Sequence, residues 1–493
     1  MTVAADGTDR RIVVGAAWMI AARVADRTIG FISVAILARV LVPADFGLIA
    51  MATAIVALVE TLGAFSFDWA LVRDPDLDRS KLDTAWTLRM LVGVALATLI
   101  ALAGHAAIPF YDEPRLGAIA LLLAGVFIVS TSENIGTVYF RRELAFDKEF
   151  VLRFCGKIAG FATTVPAAFI LRSYWALLLG IVAQRTTVVL LSYFMHPYRP
   201  KFDLSRSRSL LGFSMWLQLN SILDLARTRL PDFILGRLAG AQSVGLYSVA
   251  NEIAHLPSTE LIAPINRAVF PGYARQVLDK GPLAETFLNV VGLVWVIALP
   301  AALGIAAVAP LLVAVLLGQQ WLNVIPILQV LSLAAVGFVL CTNVSYVFLA
   351  VGRPRLTAAM NLTTALLFVP GLIYLTHRYG AVGAAYAYGL TALLILPVNY
   401  GAVCALLKLR VWRIAAVTWR PLSAALIMSW AVRSLPAPEP TAGSLQLLPA
   451  LLTNVLAGAV VYVLALATLW LIAGRPAGAE QAILDFLRRK RRA

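Results

Sequence analysis

Apolar runs long enough to cross a bilayer recur from one end of this 493-residue chain to the other. That recurrence limits the fold more than any single residue does. A helix needs about 20 consecutive apolar residues to span the hydrocarbon core. The chain meets this requirement repeatedly, with 60% apolar and only 14% charged residues and a mean hydropathy of +0.84, far above soluble proteins. The expected class is an all-α polytopic membrane protein with no sizeable soluble domain. The first residues, MTVAADGTDRR, lack the cleavage pattern of a secretory signal, so Ile12 onward reads as a retained first span. Cys155, Cys341 and Cys404 lie in or near apolar runs and imply no disulfide framework.

The runs predict about fourteen transmembrane helices. The first eight cover 12–38, 46–70, 86–108, 117–139, 150–171, 174–195, 209–235 and 244–270. Six more cover 286–310, 324–350, 355–376, 382–406, 414–432 and 447–473. Segment 311–322 is too short to span and reads as an extension of the ninth helix or an interfacial piece.

Loop charge orients these spans. One alternating set of loops holds Arg73, Arg79 and Lys81, then Arg141, Arg142 and Lys148, then Arg199, Lys201, Arg206 and Arg208. The same set continues through Arg353, Arg355, Lys408, Arg410 and Arg413 to Arg488–Arg492. The opposite loops hold about one arginine each, such as Arg39, Arg115 and Arg433. By the positive-inside rule the basic set is cytoplasmic, and both termini with it. The net charge of +15 is then explained by topology and anionic-lipid contact, not by nucleic acid. The tail GAEQAILDFLRRKRRA reads either as a short amphipathic helix on the inner leaflet or as a plain basic terminus. RDPDLD lacks the turn glycine and distal glutamate of a calcium loop and reads as a solvated loop, so no metal site is expected.

The chain also repeats itself. Laid on 216–250 without a gap, 18–52 matches Trp18 with Trp216, Asp26 with Asp224, Arg39 with Arg237, Gly47 with Gly245 and Ala52 with Ala250. Internal repeats in membrane chains imply two similar lobes with a site between them.

Charge inside the spans is concentrated. The first has Arg23, Asp26 and Arg27 on one face; the seventh has Asp224 and Arg227 on one stripe, with Arg229 and Pro231 nearby. The second carries Glu60 and Asp68, and the eighth carries Glu252, His255, Thr259 and Asn266 on one stripe. Glu133 and Arg185 are single additions, while spans nine to fourteen read as essentially free of ionisable residues. A charge at mid-bilayer costs a few kcal/mol and persists where it faces protein or a wet cavity. Four spans of fourteen, paired by the repeat, are therefore the candidate cavity walls.

At these residues the chain resembles the Wzx-type polysaccharide flippases, in the superfamily that includes lipid II flippases and multidrug extruders. The segments that carry the resemblance are LVPADFGLIAM, ENIGTVYFRRELAFDKEF, RSYWAL, SYFMHPYRP and GLYSVANEIAHLPSTELIAPINRAVFPGYA. It implies two pseudo-symmetric six-helix lobes in a V, 1–208 and 209–413, followed by two extra helices and the tail in 414–493. It implies that an undecaprenyl-diphosphate-linked oligosaccharide is turned from the cytoplasmic to the periplasmic leaflet of the inner membrane by alternating access. The other partners it implies are membrane lipids, with polysaccharide polymerase and export machinery as further candidates. By the same analogy Arg23, Arg27, Arg227 and Arg229 hold the diphosphate. Asp26, Glu60, Asp224, Glu252 and His255 make the cavity mixed, not simply basic, and are candidates for ion coupling. No cofactor is implied beyond a coupling proton or sodium ion. A lipid II flippase and a drug or ion antiporter of the same superfamily are the near alternatives. A membrane-bound polymerase is disfavoured by short outward loops and the absence of a nucleophile or metal motif, and no Walker A sequence is present.

Overall fold

The computed structural model describes residues 2–62, 71–72, 76–205, 215–436, 438, 444–476 and 478–481. Within these ranges the side chains of 2–17, 20, 62, 215–227 and 444–445 are not described. Asp68, and the side chains of Asp224 and Arg227, therefore lie outside the description. Among the described residues every regular element is helical. The order begins with α1 (Thr2–Val40), α2 (Pro43–Leu62), α3 (Arg79–Tyr111), α4 (Arg115–Thr131), α5 (Val138–Arg142), α6 (Phe146–Leu171) and α7 (Trp175–Met195). It continues with α8 (Met215–Pro257), α9 (Ala263–Leu278), α10 (Leu283–Leu316), α11 (Ile325–Ala350), α12 (Pro354–Leu407), α13 (Val411–Ser434) and α14 (Ser444–Ile472).

Elements and spans are not one-to-one, and glycine explains why. α8 holds two spans that meet at Gly240 (φ 74°, ψ 175°). α12 holds two that meet at Gly380 (φ 56°, ψ −135°). Both are backbone conformations that a Cβ resists. Conversely, α4 and α5 are one span bent by 61° across a short break. Counted in this way the fourteen expected spans are all present. Eight helices among the described residues are long and apolar enough to cross a bilayer unaided, and the bent pair brings the number to nine. α1, α8 and α13 fall short of that test: arginines and acids interrupt the apolar runs of α1 and α8, and arginines alone that of α13. Segment 311–322 divides: α10 continues to Leu316, and a short 3-10 turn occupies Gln319–Val324. Large apolar side chains such as Leu102, Phe194, Trp430 and Ile472 are left exposed, as expected of helices that face lipid.

The chain divides into two compact units, Met1–Gly245 and Leu246–Ala493. In the first, polar ties join the segments that carried the resemblance. The Asp45 carboxylate at the start of α2 accepts from the backbone N–H of Tyr174, at 3.1 Å. Asn134, fully buried, accepts from Gly136 N–H at 2.9 Å and donates from Nδ2 to the carbonyls of His196 and Tyr198. Its own N–H donates to Ser192 Oγ at 3.0 Å. The buried Asp83 takes hydrogen bonds from the Tyr198 hydroxyl and, at 2.9 Å, from the Lys201 N–H. Each bond satisfies a group that would be costly to bury alone.

The repeat has a local structural counterpart. Under its offset Gly47 falls on Gly245 and Pro43 on Ala241. In the structure, a Cβ on Gly47 would run into the Ala241 carbonyl, and one on Gly245 into the Pro43 carbonyl. The contact is reciprocal, and both backbones approach because neither glycine has a side chain.

In the second unit a large apolar core gathers Phe287, Val291, Val294, Val344, Val347, Phe348, Ala424 and Met428. One ionisable pair is embedded beside it. Arg420 of α13 and Glu480, in the segment after α14, are 4% and 7% exposed. Arg420 Nε donates to Glu480 Oε1 at 2.9 Å and Nη2 to Oε2 at 3.3 Å. This corrects the expectation that spans nine to fourteen carry essentially no ionisable group: the thirteenth does, and it is neutralised by the tail.

Candidate functional site

The candidate residues are placed by helices whose sequences are otherwise apolar, so each charge has a definite set of neighbours. In the first unit α1 packs on α6, with Trp18 and Phe150 at 5.1 Å between ring centroids. Gly30 faces the Lys157 ammonium, which would lie 3.9 Å from a Cβ there, an ordinary contact. Lys157 Nζ is 3.1 Å from Asp26 Oδ1. Asp26 thus has a partner on another helix, and not only its neighbours along α1. Arg23 is half-exposed on the same face, and Arg27 is exposed. Lys157 was not among the expected residues. Its signal is a lone lysine in FCGKIAGF, in the middle of the fifth apolar run.

A second group draws on α2, α7 and α8. Glu60 is under the electrostatic influence of both Arg185 and Arg229. Arg229 Nη1 also lies 3.5 Å from Oδ2 of the buried Asp232, three residues on. Two expected residues, Glu60 and Arg229, are therefore brought together, and Arg185 joins them from α7. Asp232 is an addition, hidden in the sequence because it follows Pro231 at a point where the helical stripe was not extended.

In the second unit Glu252 is exposed and His255 is half-buried. The His255 ring nitrogens lie 3.0 Å from the Asn251 carbonyl (Nδ1) and 3.0 Å from the Tyr388 hydroxyl (Nε2). Tyr388 is packed in turn against Phe338 and Phe368, with centroids 4.4 and 5.9 Å away. Asn266 has a different environment: its amide donates to Thr342 Oγ1 at 3.1 Å and accepts from Asn343 Nδ2 at 3.1 Å. The expected single stripe of Glu252, His255, Thr259 and Asn266 is broken by a π-helical turn over Ser258–Ile262, directly after Pro257. One residue inserted into an α-helix turns everything beyond it by about 100°.

A polar cleft, open to solvent, lies wholly within the first unit. It is lined by Arg89, Glu133, Thr137, Val138, Phe140, Arg141, Glu149, Leu152 and Arg153. Glu133 belongs here, at the bend between α4 and α5, and not in mid-span. No group of His, Cys, Asp and Glu able to hold a metal occurs among the described residues.

Comparison with known proteins adds to this geometry. The family described as "Polysaccharide biosynthesis protein" matches residues 36–326. The lipopolysaccharide biosynthesis protein WzxC of Escherichia coli K12 is 26% identical over 394 residues, covering 79% of this chain and 80% of that protein. The teichuronic acid biosynthesis protein TuaB of Bacillus subtilis 168 is 22% identical, covering 70% and 72%. Among solved structures, the inward closed conformation of lipid II flippase MurJ superposes with a TM-score of 0.72 at 12% identity, covering 94% of this chain and all of that one. At that identity the likeness is one of fold.

Proposed function

The chain belongs to the polysaccharide biosynthesis protein family, and from that membership we propose that it carries a lipid-linked oligosaccharide across the membrane by alternating access. The finer reading is that the substrate is an undecaprenyl-diphosphate-linked glycan, moved from the cytoplasmic to the periplasmic leaflet of the inner membrane, with both termini cytoplasmic. The relatives bear on the substrate class: WzxC is named for lipopolysaccharide biosynthesis and TuaB for teichuronic acid biosynthesis. The observation that supports the mechanism is that Glu60 on α2 lies within the electrostatic reach of Arg185 on α7 and Arg229 on α8. A diphosphate crossing hydrocarbon has to exchange water for donors that keep their charge. Guanidinium does this and offers a planar fork to phosphate oxygens.

Arg23, Arg27, Arg227 and Arg229 are the proposed diphosphate contacts. Asp26, Glu60, Asp224, Glu252 and His255 would moderate that charge when the substrate is absent and are where a coupling proton or sodium ion would act. The work is translocation, with no bond made or broken. The organisation proposed for it is a lobe over 1–208, a second over 209–413, and two extra helices with the basic tail over 414–493.

The test is complementation of a glycan-export null strain. Arg27→Ala and Arg227→Ala should abolish surface glycan while the protein inserts at normal levels, and lysine should rescue only in part. Export that survives both alanine variants would overturn the arginine assignment. Restored export when Asp224 and Arg227 are both neutralised would remove Arg227 from the site and leave α1 as the anchor. Rescue of cells depleted of their lipid II flippase, without glycan export, would transfer the substrate to lipid II.

A further inference from the structure

The segment ENIGTVYFRRELAFDKEF carries part of the resemblance, yet none of its residues belongs to the proposed diphosphate contacts. The structure shows what it builds. Past Thr131 the fourth span breaks, and Asn134 pins the break to the end of α7. The carbonyls exposed at the end of α4 are taken by one guanidinium: Arg89 donates from Nε to the Thr131 carbonyl at 3.0 Å and from Nη2 to the Glu133 carbonyl. Arg89 is thereby held in place by neutral acceptors, and among the described residues no carboxylate pairs with it. Two further arginines face the same cleft. Arg153 lies 3.3 Å from Glu133 Oε1, and Arg141 donates to Glu149 Oε1 at 2.9 Å. The lining therefore has three guanidinium groups against two carboxylates.

The rest of the lining is Thr137 and the well-packed Val138, Phe140 and Leu152, each 5% exposed or less. Lys148 stands at the edge, its ammonium 5.7 Å from the Phe140 ring centroid. These arginines suit a phosphate group, and a lipid headgroup presents one at the edge of the hydrocarbon. The cleft's level in the fold agrees, because it opens where the apolar fourth span ends and where α6 enters its own apolar run.

We propose that this cleft, walled by Arg89, Arg141 and Arg153, binds the phosphate-bearing headgroup of a lipid. It is a site separate from the arginines of α1 and α8. Two sources share this chemistry: the diphosphate of the proposed substrate and the phosphodiester of an anionic bilayer lipid. Only the first source rests on the transport reading, since binding is measured without transport.

The test places an environment-sensitive fluorophore at the cleft's edge, through Lys148→Cys in a full-length chain whose Cys155, Cys341 and Cys404 are replaced. Farnesyl diphosphate, short-chain phosphatidylglycerol and inorganic pyrophosphate are titrated separately. A charge-assisted hydrogen bond contributes about 1.5–3 kcal/mol, so Arg89→Gln or Arg153→Gln should weaken the lipid probes by about tenfold or more. Arg153 is half-exposed, so its variant keeps the test intact if Arg89→Gln fails to insert. Preference for farnesyl diphosphate supports the substrate head, and equal or better binding of phosphatidylglycerol supports a bilayer lipid. Lipid affinities unchanged in both variants would overturn the site. Pyrophosphate binding as tightly as either lipid would overturn the assignment to a lipid. Arg27→Gln serves as the control. If it abolishes export and leaves the fluorescence titration unchanged, the two sites are separate; if the cleft variants leave binding unchanged while Arg27→Gln abolishes export, only the cleft proposal fails.

Discussion

Glu480→Gln should release the segment after α14 from the body of the second unit, and the geometry sets the size of the effect. The pair is bidentate, at 2.9 and 3.3 Å, and both partners are more than nine-tenths buried. Opposite charges about 4 Å apart attract by about 4 kcal/mol at an effective dielectric of about 20. Removing one partner leaves the other charge buried, which costs about 3–5 kcal/mol. The docked segment includes Ala479, 3% exposed, whose Cβ would lie 3.4 Å from a Cβ on Gly292. Placing Ala479→Cys in a chain without its natural cysteines makes undocking readable as the rate of maleimide labelling. A loss of 3–5 kcal/mol corresponds to a rise in rate of about two to nearly four powers of ten. Arg420→Met should do the same. Arg420→Met combined with Glu480→Leu should recover much of the protection, because an apolar pair of similar volume incurs no penalty for a lone charge. Labelling that rises less than tenfold in both single variants would refute the reasoning. So would a double variant as labile as either single one.

Two further predictions rest on different contacts. Gly47→Ala should destabilise the purified protein by about 1–3 kcal/mol through overpacking, seen as a lower melting temperature by size exclusion. Gly272→Ala, where a Cβ meets nothing within 4 Å, should not, and equal losses in the two would refute the close approach at Ala241. His196 lies beyond the α7 span, stacked on Tyr139, and its Nδ1 accepts from the Tyr198 N–H at 3.2 Å. Burial pushes its pKa below the ordinary 6.5. The folded state then binds fewer protons than the unfolded one just below that value. Its contribution is present above pH 6.5 and is lost as pH falls through the folded pKa. Melting followed from pH 7.5 downward should show this loss, and His196→Gln should flatten it; an identical slope in the variant would exclude His196.

The spans were legible because hydropathy is additive along a helix and needs no knowledge of neighbours. The cluster of candidate charges was legible for the complementary reason, since charge in an apolar run has few innocent explanations. Partners were not. Nothing local to Asp26 points to Lys157, because the two meet only when α1 packs on α6. The acid that neutralises Arg420 lies 60 residues on, in a tail that reads either as a short amphipathic helix or as a plain basic terminus. The polar stripe of the eighth span failed for a reason of phase. Extrapolating 3.6 residues per turn across Pro257 assumes an unbroken helix, and a single wide turn is enough to separate Asn266 from His255.

That wide turn has a consequence for how such a chain can change over generations. Most helices in a packed bundle cannot lose or gain one residue, because every side chain downstream would be carried about 100° around the axis. The stretch Ser258–Ile262 is an exception, since it already contains a residue more than an α-turn requires. A deletion there restores ordinary helix, leaving the run up to Pro257 and the run from Ala263 each in its present register. The eighth span thus has a joint at which its two halves can vary separately: one presents Glu252 and His255, the other anchors Asn266 to Thr342 and Asn343. Inheritance can alter one half and leave the footing of the other as it stands.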